Sequence, residues 1–547
     1  MKKILILFLF GYIFPNIDGN ISFQSNFGKG QQVFANNKYK DLNYFENLLQ
    51  INLQFTDKLL LSSELEYSNP PIKGKVKNTF DTMFSNVILN YVDDDYSIVL
   101  GDLYTLYGYG LSMYTYQNRD IDYDNSILGA EIEYYINYKT SIKSFIGKNN
   151  LLIRKSPEDE VASMTFENQI FGYQINYFTD NIGEFNYFIL LDNTLINKDD
   201  LLLLSTYQNS FGYELSNRLN EMTMFVFPDD TIPTVSHDMI WSNNFNNIDF
   251  TLNNVIVFYK RLLGEKERGN RFYFNTSTSI GKYELFYEYK NYDTPFLMPF
   301  YSNPPIGFKE GNSVLTSRLS HGIDFSDEIG HQLEVNTFFS DYNIQFNLSQ
   351  ANNHGYYDSN GKMKNNSQID QPSFIDLILM ENTEKFKEFK PYTKLSSEIS
   401  GYFSKDFYFK TGVDLQNEHN QKGRYRALTI PSQFTYTLQN GNSIVGYLEQ
   451  QNYNKLYPVL DKYKYNYFSI GLNFQGKITL TYLYENELHK SDKMKWDGYD
   501  VSINFGSYLQ CGMFYGSQKG GLICANGSCV YSPGFENGFR FVIRSIL

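Results

Sequence analysis

The sequence predicts an all-β chain, one large antiparallel transmembrane β-barrel of about 22–26 strands with short periplasmic turns and long extracellular loops. Three observations predict it. Apolar and polar residues alternate with period two along segment after segment, so one face of each meets an apolar medium and the other meets water. The aromatic residues are nearly all Tyr and Phe, 47 and 46 of them against 2 Trp, spread through those segments. Finally, a chain of 547 residues with a mean hydropathy of −0.41 contains no linker-like tract and, beyond its N-terminus, no apolar run long enough for a spanning helix. A barrel reconciles low hydropathy with a membrane, because half of its strand residues face a wet lumen.

Residues 1–19 are expected to be a signal peptide and 20–547 a single barrel domain. Lys2 and Lys3 form the charged start, Ile4 to Phe14 the apolar core, and Pro15 to Gly19 the polar exit. No cysteine precedes Cys511, so no lipid anchor is expected. From Phe45 the strand rhythm is continuous: Ile51, Leu53 and Phe55 alternate with Asn52, Gln54 and Thr56, and Leu59 to Tyr67 run back. Tight turns are expected at 56–58, 93–95, 137–139, 179–181, 404–406 and 475–477, each rich in turn-forming residues. Long connections are expected at 69–78, 105–126, 149–162, 291–312, 352–373, 417–430, 488–496 and 517–534. Residues 195–250 give no clear rhythm. Among the late strands, Phe407, Phe409, Thr411, Val413 and Leu415 oppose Tyr408, Lys410, Gly412, Asp414 and Gln416. A barrel of this size encloses a lumen that strand side chains cannot fill, so water or folded-in loops must occupy it.

The stretch from Tyr96 to Tyr134 carries the candidate site. A strand, YSIVLGDLYT, leads into the turn Gly108-Tyr109-Gly110, an acidic run from Arg119 to Asn125, and a return strand, ILGAEIEYY. On the return strand Ala130, Ile132 and Tyr134 share one face, while Glu131 and Glu133 share the wet one. Glycines permit sharp backbone turns, and Arg119 stands as one cation among acids. Loop 102–129 is therefore expected to fold into the lumen. Its constellation would be Asp102, Tyr104, Arg119, Asp120, Asp122 and Asp124, with Arg119 paired to Asp102 or Asp120. Asp120, Asp122, Asp124 and Glu131 also occupy calcium-loop spacing, but Asn125 stands where that loop requires glycine, so no metal is assigned.

This stretch resembles an uncharacterised family of outer-membrane barrels in Gram-negative bacteria. The residues that carry the resemblance are Gly101-Asp102-Leu103-Tyr104, Gly108-Tyr109-Gly110-Leu111, Arg119, Asn125 and Gly129. Asn303-Pro304-Pro305, Leu319-Ser320-His321, the run Glu328 to Glu334, and Lys519 to Cys529 extend it along the chain. Leu103 and Tyr109 depart from the family's aromatic and small-or-basic residues. The resemblance implies the barrel fold and the outer membrane, and no established activity.

Cys524 and Cys529 bracket a short turn and are expected to form a disulfide in an oxidising compartment, leaving Cys511 unpaired. Six scattered histidines make no H-E-x-x-H spacing, and no G-x-S-x-G elbow is present, so neither catalysis nor a cofactor is expected. A net charge of −13 excludes nucleic acid as a partner. No plug domain precedes the barrel in this sequence, which sets aside energised siderophore-type import. The expected partners are outer-membrane lipid and lipopolysaccharide, the barrel-assembly machinery during biogenesis, and small solutes. Passage or uptake of small solutes through a loop-narrowed lumen is the favoured function. A non-conducting scaffold or surface receptor that displays its loops to a partner is the alternative.

Overall fold

A computed structural model describes residues 18–33, 39–69, 75–77, 84–119, 123–153, 164–195, 231–260, 266–294, 301–319, 321–323, 327–354, 389–420, 423–490, 492–525, 528–532 and 534–546. The expected signal segment through residue 17 lies outside them, and so do Asp120 and Asp122. Asp18 opens the first strand.

The wall begins with β1 Asp18–Val33, β2 Tyr39–Thr56, β3 Leu59–Asn69, β4 Phe84–Val92, β5 Tyr96–Leu103 and β6 Ile127–Asn137. It continues with β7 Thr140–Ile153, β8 Met164–Thr179, β9 Gly183–Leu195, β10 Thr231–Phe245, β11 Ile248–Lys260 and β12 Lys266–Ile280. Next are β13 Tyr283–Asp293, β14 Asp327–Phe339, β15 Tyr342–Asn352, β16 Tyr392–Ser404, β17 Phe407–Asn420 and β18 Gly423–Thr437. The last six are β19 Ser443–Tyr457, β20 Asp461–Phe474, β21 Ile478–His489, β22 Asp492–Phe505, β23 Leu509–Gln518 and β24 Gly534–Ile546.

Every neighbouring pair among these is antiparallel, and β24 returns to pair with β1, so the ring of 24 described strands is closed. At that seam Ser22 lies opposite Ile546 and Phe27 opposite Phe541, whose rings are 5.1 Å apart. Closure leaves no sheet edge to satisfy in lipid, which is why an open sheet cannot span a bilayer. All six expected tight turns join consecutive strands, and five further short ones occur at the same end, at 246–247, 281–282, 340–341, 438–442 and 506–508.

Two expected long loops are corrected. At 417–430 and 488–496 the strands run to Asn420 and His489 and resume at Gly423 and Asp492. Asp414, Gln416 and Glu418 are polar because they face the interior, where they are buried, while Asn417 on the opposite face accepts from Arg426 Nε at 2.7 Å. Inward polarity at a strand end imitates a loop.

The two faces of the wall differ as the alternation requires. Ile132 on β6, Ile146 on β7, Phe171 on β8, Leu191 on β9, Met239 on β10 and Phe258 on β11 are all exposed on the outside. Asp192, Asp238, Asn253, Arg271 and Lys290 are buried on the inside of β9 to β13. A closed barrel with an apolar outer belt and a polar interior is a transmembrane β-barrel of the outer membrane. Among the described residues the one helix, α1 Val314–Ser317, is a single turn inside the lumen.

Candidate functional site

The lumen is occupied by two loops of the chain itself. The first, described at 104–119 and 123–126, leaves β5 and folds back across the inner faces of β6 to β12. Gly108 and Gly110 take φ of +63° and +82°, a left-handed region that other residues enter at a cost. A Cβ on Gly108 would meet Ile240 Cδ1 at 2.5 Å, and one on Gly110 would meet the Asn303 carbonyl oxygen at 2.6 Å. The turn is tight and pressed against its surroundings.

Three apolar side chains hold this loop. Tyr107 is fully buried, stacked 4.2 Å from Phe188 and 5.2 Å from Phe145. Its hydroxyl donates to Glu131, which also pairs with Lys143 at 2.8 Å. Met113 joins the same cluster with Ile170 and Leu190. Leu111 packs among Val255, Val257, Tyr273 and Tyr292, and its carbonyl accepts from the buried Arg271 guanidinium at 2.6 Å. Fully burying a side chain of this size contributes about 1.5–3 kcal/mol, so the three together form a substantial anchor.

The second inward loop is described at 301–319 and 321–323. It meets the first edge to edge: Tyr114 N–H donates to the Tyr301 carbonyl at 2.7 Å, Asn303 N–H to Gly110 at 3.2 Å, and the Ser302 hydroxyl to Ser112 at 2.6 Å. From there it crosses the inner faces of β13 to β21. Lys290 and Tyr292 donate to the carbonyls of Ile306 and Pro305. Glu449 on β19 accepts from the Ser313 hydroxyl and from Leu315 N–H, holding the start of α1. Arg318 forms a two-pronged pair with Glu485 on β21. His321 places Nδ1 3.0 Å from Glu418 and Nε2 3.4 Å from Glu328, and its ring stacks 4.1 Å from Tyr392. Burial opposes a charged His321, but the carboxylates of Glu328 and Glu418 outweigh it and raise its pKa to about 9.

Of the expected constellation, the described members Asp102, Tyr104, Arg119 and Asp124 fall in or beside the first loop, and Asp120 and Asp122 lie outside the described residues. The Asp102 carboxylate, at the end of β5, accepts from Val87 N–H at 2.7 Å. Tyr104 donates to Asp124 at 3.0 Å, and Asp124 also accepts from Ser126 N–H at 2.9 Å. Arg119 pairs with Glu64 and, at 3.3 Å, with Glu66, both on β3 and neither named by the sequence reading. Glu64 further accepts from Gln50, Ser85, Asn86 and Gln117. In the last long connection, strands Gly521–Ala525 and Ser528–Ser532 form a hairpin with Cys524 opposite Cys529, their side chains lying outside the described atoms. Cys511 is a free thiol on β23.

Sequence reasoning missed the second loop as a lumen element. Its signal was present in Lys309, Arg318 and His321, cations spaced along a polar connection between strands whose inward residues are acidic.

No curated protein matches the chain. Among solved structures it is similar to the P pilus usher PapC translocation pore, at 9% identity over 96% of this chain and 99% of that one, with a TM-score of 0.41. The copper transporter OprC gives 7% identity over 97% and 80%, with a TM-score of 0.45. OpdO of Pseudomonas aeruginosa gives 8% identity over 97% of both chains, with a TM-score of 0.36. By sequence the resemblance is to a family of unknown function (DUF6029), which matches residues 1–177, from the chain start through the whole first inward loop and into β8.

Proposed function

We propose that this barrel passes or takes up small solutes across the outer membrane, through a lumen that its own loops narrow. The observation that carries the reading is what occupies the interior. A ring this wide leaves space that wall side chains do not fill, and of the two loop segments that take it up the second is held largely by polar and ion-paired contacts. Such a filling is compatible with water and can rearrange. Tyr107, Leu111 and Met113, all fully buried, favour a second reading, a non-conducting scaffold whose loops are presented to a partner.

Purified protein in planar bilayers separates the two. The conduit reading expects small or intermittent currents from wild type and larger ones from Tyr107→Ala. Silence from both at every voltage supports the scaffold.

Membrane lipid and lipopolysaccharide surround the barrel in this reading, and the assembly machinery inserts it. Cys524 and Cys529 close a disulfide across the last hairpin. Directly opposed residues of an antiparallel pair have Cα atoms about 4.5–5.5 Å apart, within the range a disulfide spans.

A further inference from the structure

The two inward loops are attached by different physics. The first is cemented by apolar contacts, with Tyr107, Leu111 and Met113 wedged among Phe145, Phe188, Val255 and their neighbours. Most attachments of the second run instead through charged or polar groups on the wall. Lys309 lies 3.7 Å from Glu334, Ser313 and Leu315 bind Glu449, Arg318 binds Glu485, and His321 sits between Glu328 and Glu418. Lys394 and Gln416 donate to its carbonyls at Lys309 and Leu319, at 3.1 and 2.6 Å. Beneath it runs a polar hollow of about 40 Å³ lined by Lys309, Asn312, Ser313, Gln345, Lys394 and Glu398. Its apolar contacts are those of Ile306, Phe308 and Ile323 with Ala351 and Tyr392, together with buried Leu315.

We infer that the described residues 305–319 and 321–323 form a releasable strap, while 104–119 form a fixed half-plug. The lumen would open on the side of β14 to β21, with the dividing line at the backbone bonds between Gly110, Tyr114 and residues 301–303. Salt screens the partly exposed pairs Lys309–Glu334 and Arg318–Glu485 more than the buried pairs of His321, and it weakens none of the apolar packing. One difference in attachment therefore sets a difference in response. The strap also has a link to the surface. Lys519 binds Glu487 at 2.6 Å, two residues along β21 from the carboxylate that holds Arg318. Gly521, at the base of the last hairpin, lies against the Arg318 side chain, so that a Cβ added there would meet Arg318 Cγ at 3.0 Å. Movement of the hairpin bears directly on the strap's strongest ion pair.

Amide hydrogen exchange on the intact barrel in detergent tests this without requiring conduction. Peptides covering 305–319 and 104–118 are compared in wild type at 0.1 and 1 M NaCl, and in Glu485→Gln at low salt. High salt should raise exchange in 305–319 at least fivefold, and Glu485→Gln at least tenfold, with 104–118 unchanged in both. Wild type in salt keeps the test valid should the variant fail to fold. Parallel changes in the two peptides would show one plug moving as a unit, and no change in 305–319 would show a permanent filling; either overturns the inference. A strap that exchanges alone in a barrel that never carries current would leave this inference standing and remove the conduit.

Discussion

His321 gives the sharpest quantitative test of the interior. Its imidazole faces Glu328 from β14 and Glu418 from β17, with Tyr392 stacked on it and Phe308 at its edge. Glu328 is shared with Lys290, and Glu418 with the Tyr425 hydroxyl. Raising the His321 pKa from 6.5 to about 9 corresponds to about 3 kcal/mol of proton-linked stabilisation. Because the folded value lies above the unfolded one, this contribution is complete below about pH 6.5 and is lost as pH rises through about 9. Lys390, pushed down by burial from 10.5 to about 8, works with the opposite sign in the same region, gaining stability as pH rises. A raw pH profile therefore mixes the two. The difference between wild type and His321→Gln isolates the histidine. Thermal unfolding of the purified barrel should show a gap between them at pH 6 that narrows by about 3 kcal/mol at pH 10. A gap of equal size at both pH values would refute a charged, doubly paired His321.

Three further outcomes follow from the geometry. Tyr107→Ala should cost about 3–5 kcal/mol, because it empties a fully buried aromatic site between Phe145 and Phe188, and limited proteolysis should then cut within 104–119. Arg119→Ala should cost at most about 1 kcal/mol, since Arg119 is a third exposed and Glu64 keeps its neutral donors; Glu64→Leu, which removes the acceptor that Arg119, Gln117 and Asn86 share, should loosen the loop more in the same protease assay. Peptide mapping without reductant should find Cys524 linked to Cys529 and Cys511 reduced, and a bridge containing Cys511 would break the assignment.

The fold was legible because period-two alternation is a local signal. Glu131 and Glu133 beside Ile132 and Tyr134 declare both faces of β6 without help from anything distant. The expectation of about 22–26 strands brackets the 24 found. Errors arose where local composition had two causes, as at Gln416 and Glu418, whose polarity belongs to the lumen. That the 102–129 stretch turns inward was legible from Gly108 and Gly110. Its partners were not, because Arg119 meets Glu64 and Glu66 across strands far apart in the chain, and register between distant strands leaves no mark on either segment. The second loop was illegible for the same reason. Arg318 and Glu485 read as ordinary polar residues until the ring brings them together.

The seam between β1 and β24 governs how such a ring can form. All but one of the wall pairings join strands consecutive around the chain and can zip up hairpin by hairpin; this one joins the first strand to the last. Bringing distant segments together is the slow, entropically costly step of β folding. Until β24 docks, β1 presents an unpaired row of amides and carbonyls that hydrocarbon cannot solvate. The Phe27–Phe541 contact and the bond from Arg544 to Gln24 at 3.1 Å are therefore among the last to form. A nascent chain that stalls before β24 carries two open edges, which are sites for mispairing with another copy. The seam thus makes completion of the wall a single late event, and a partly assembled barrel is a hazard to the cell rather than a smaller pore.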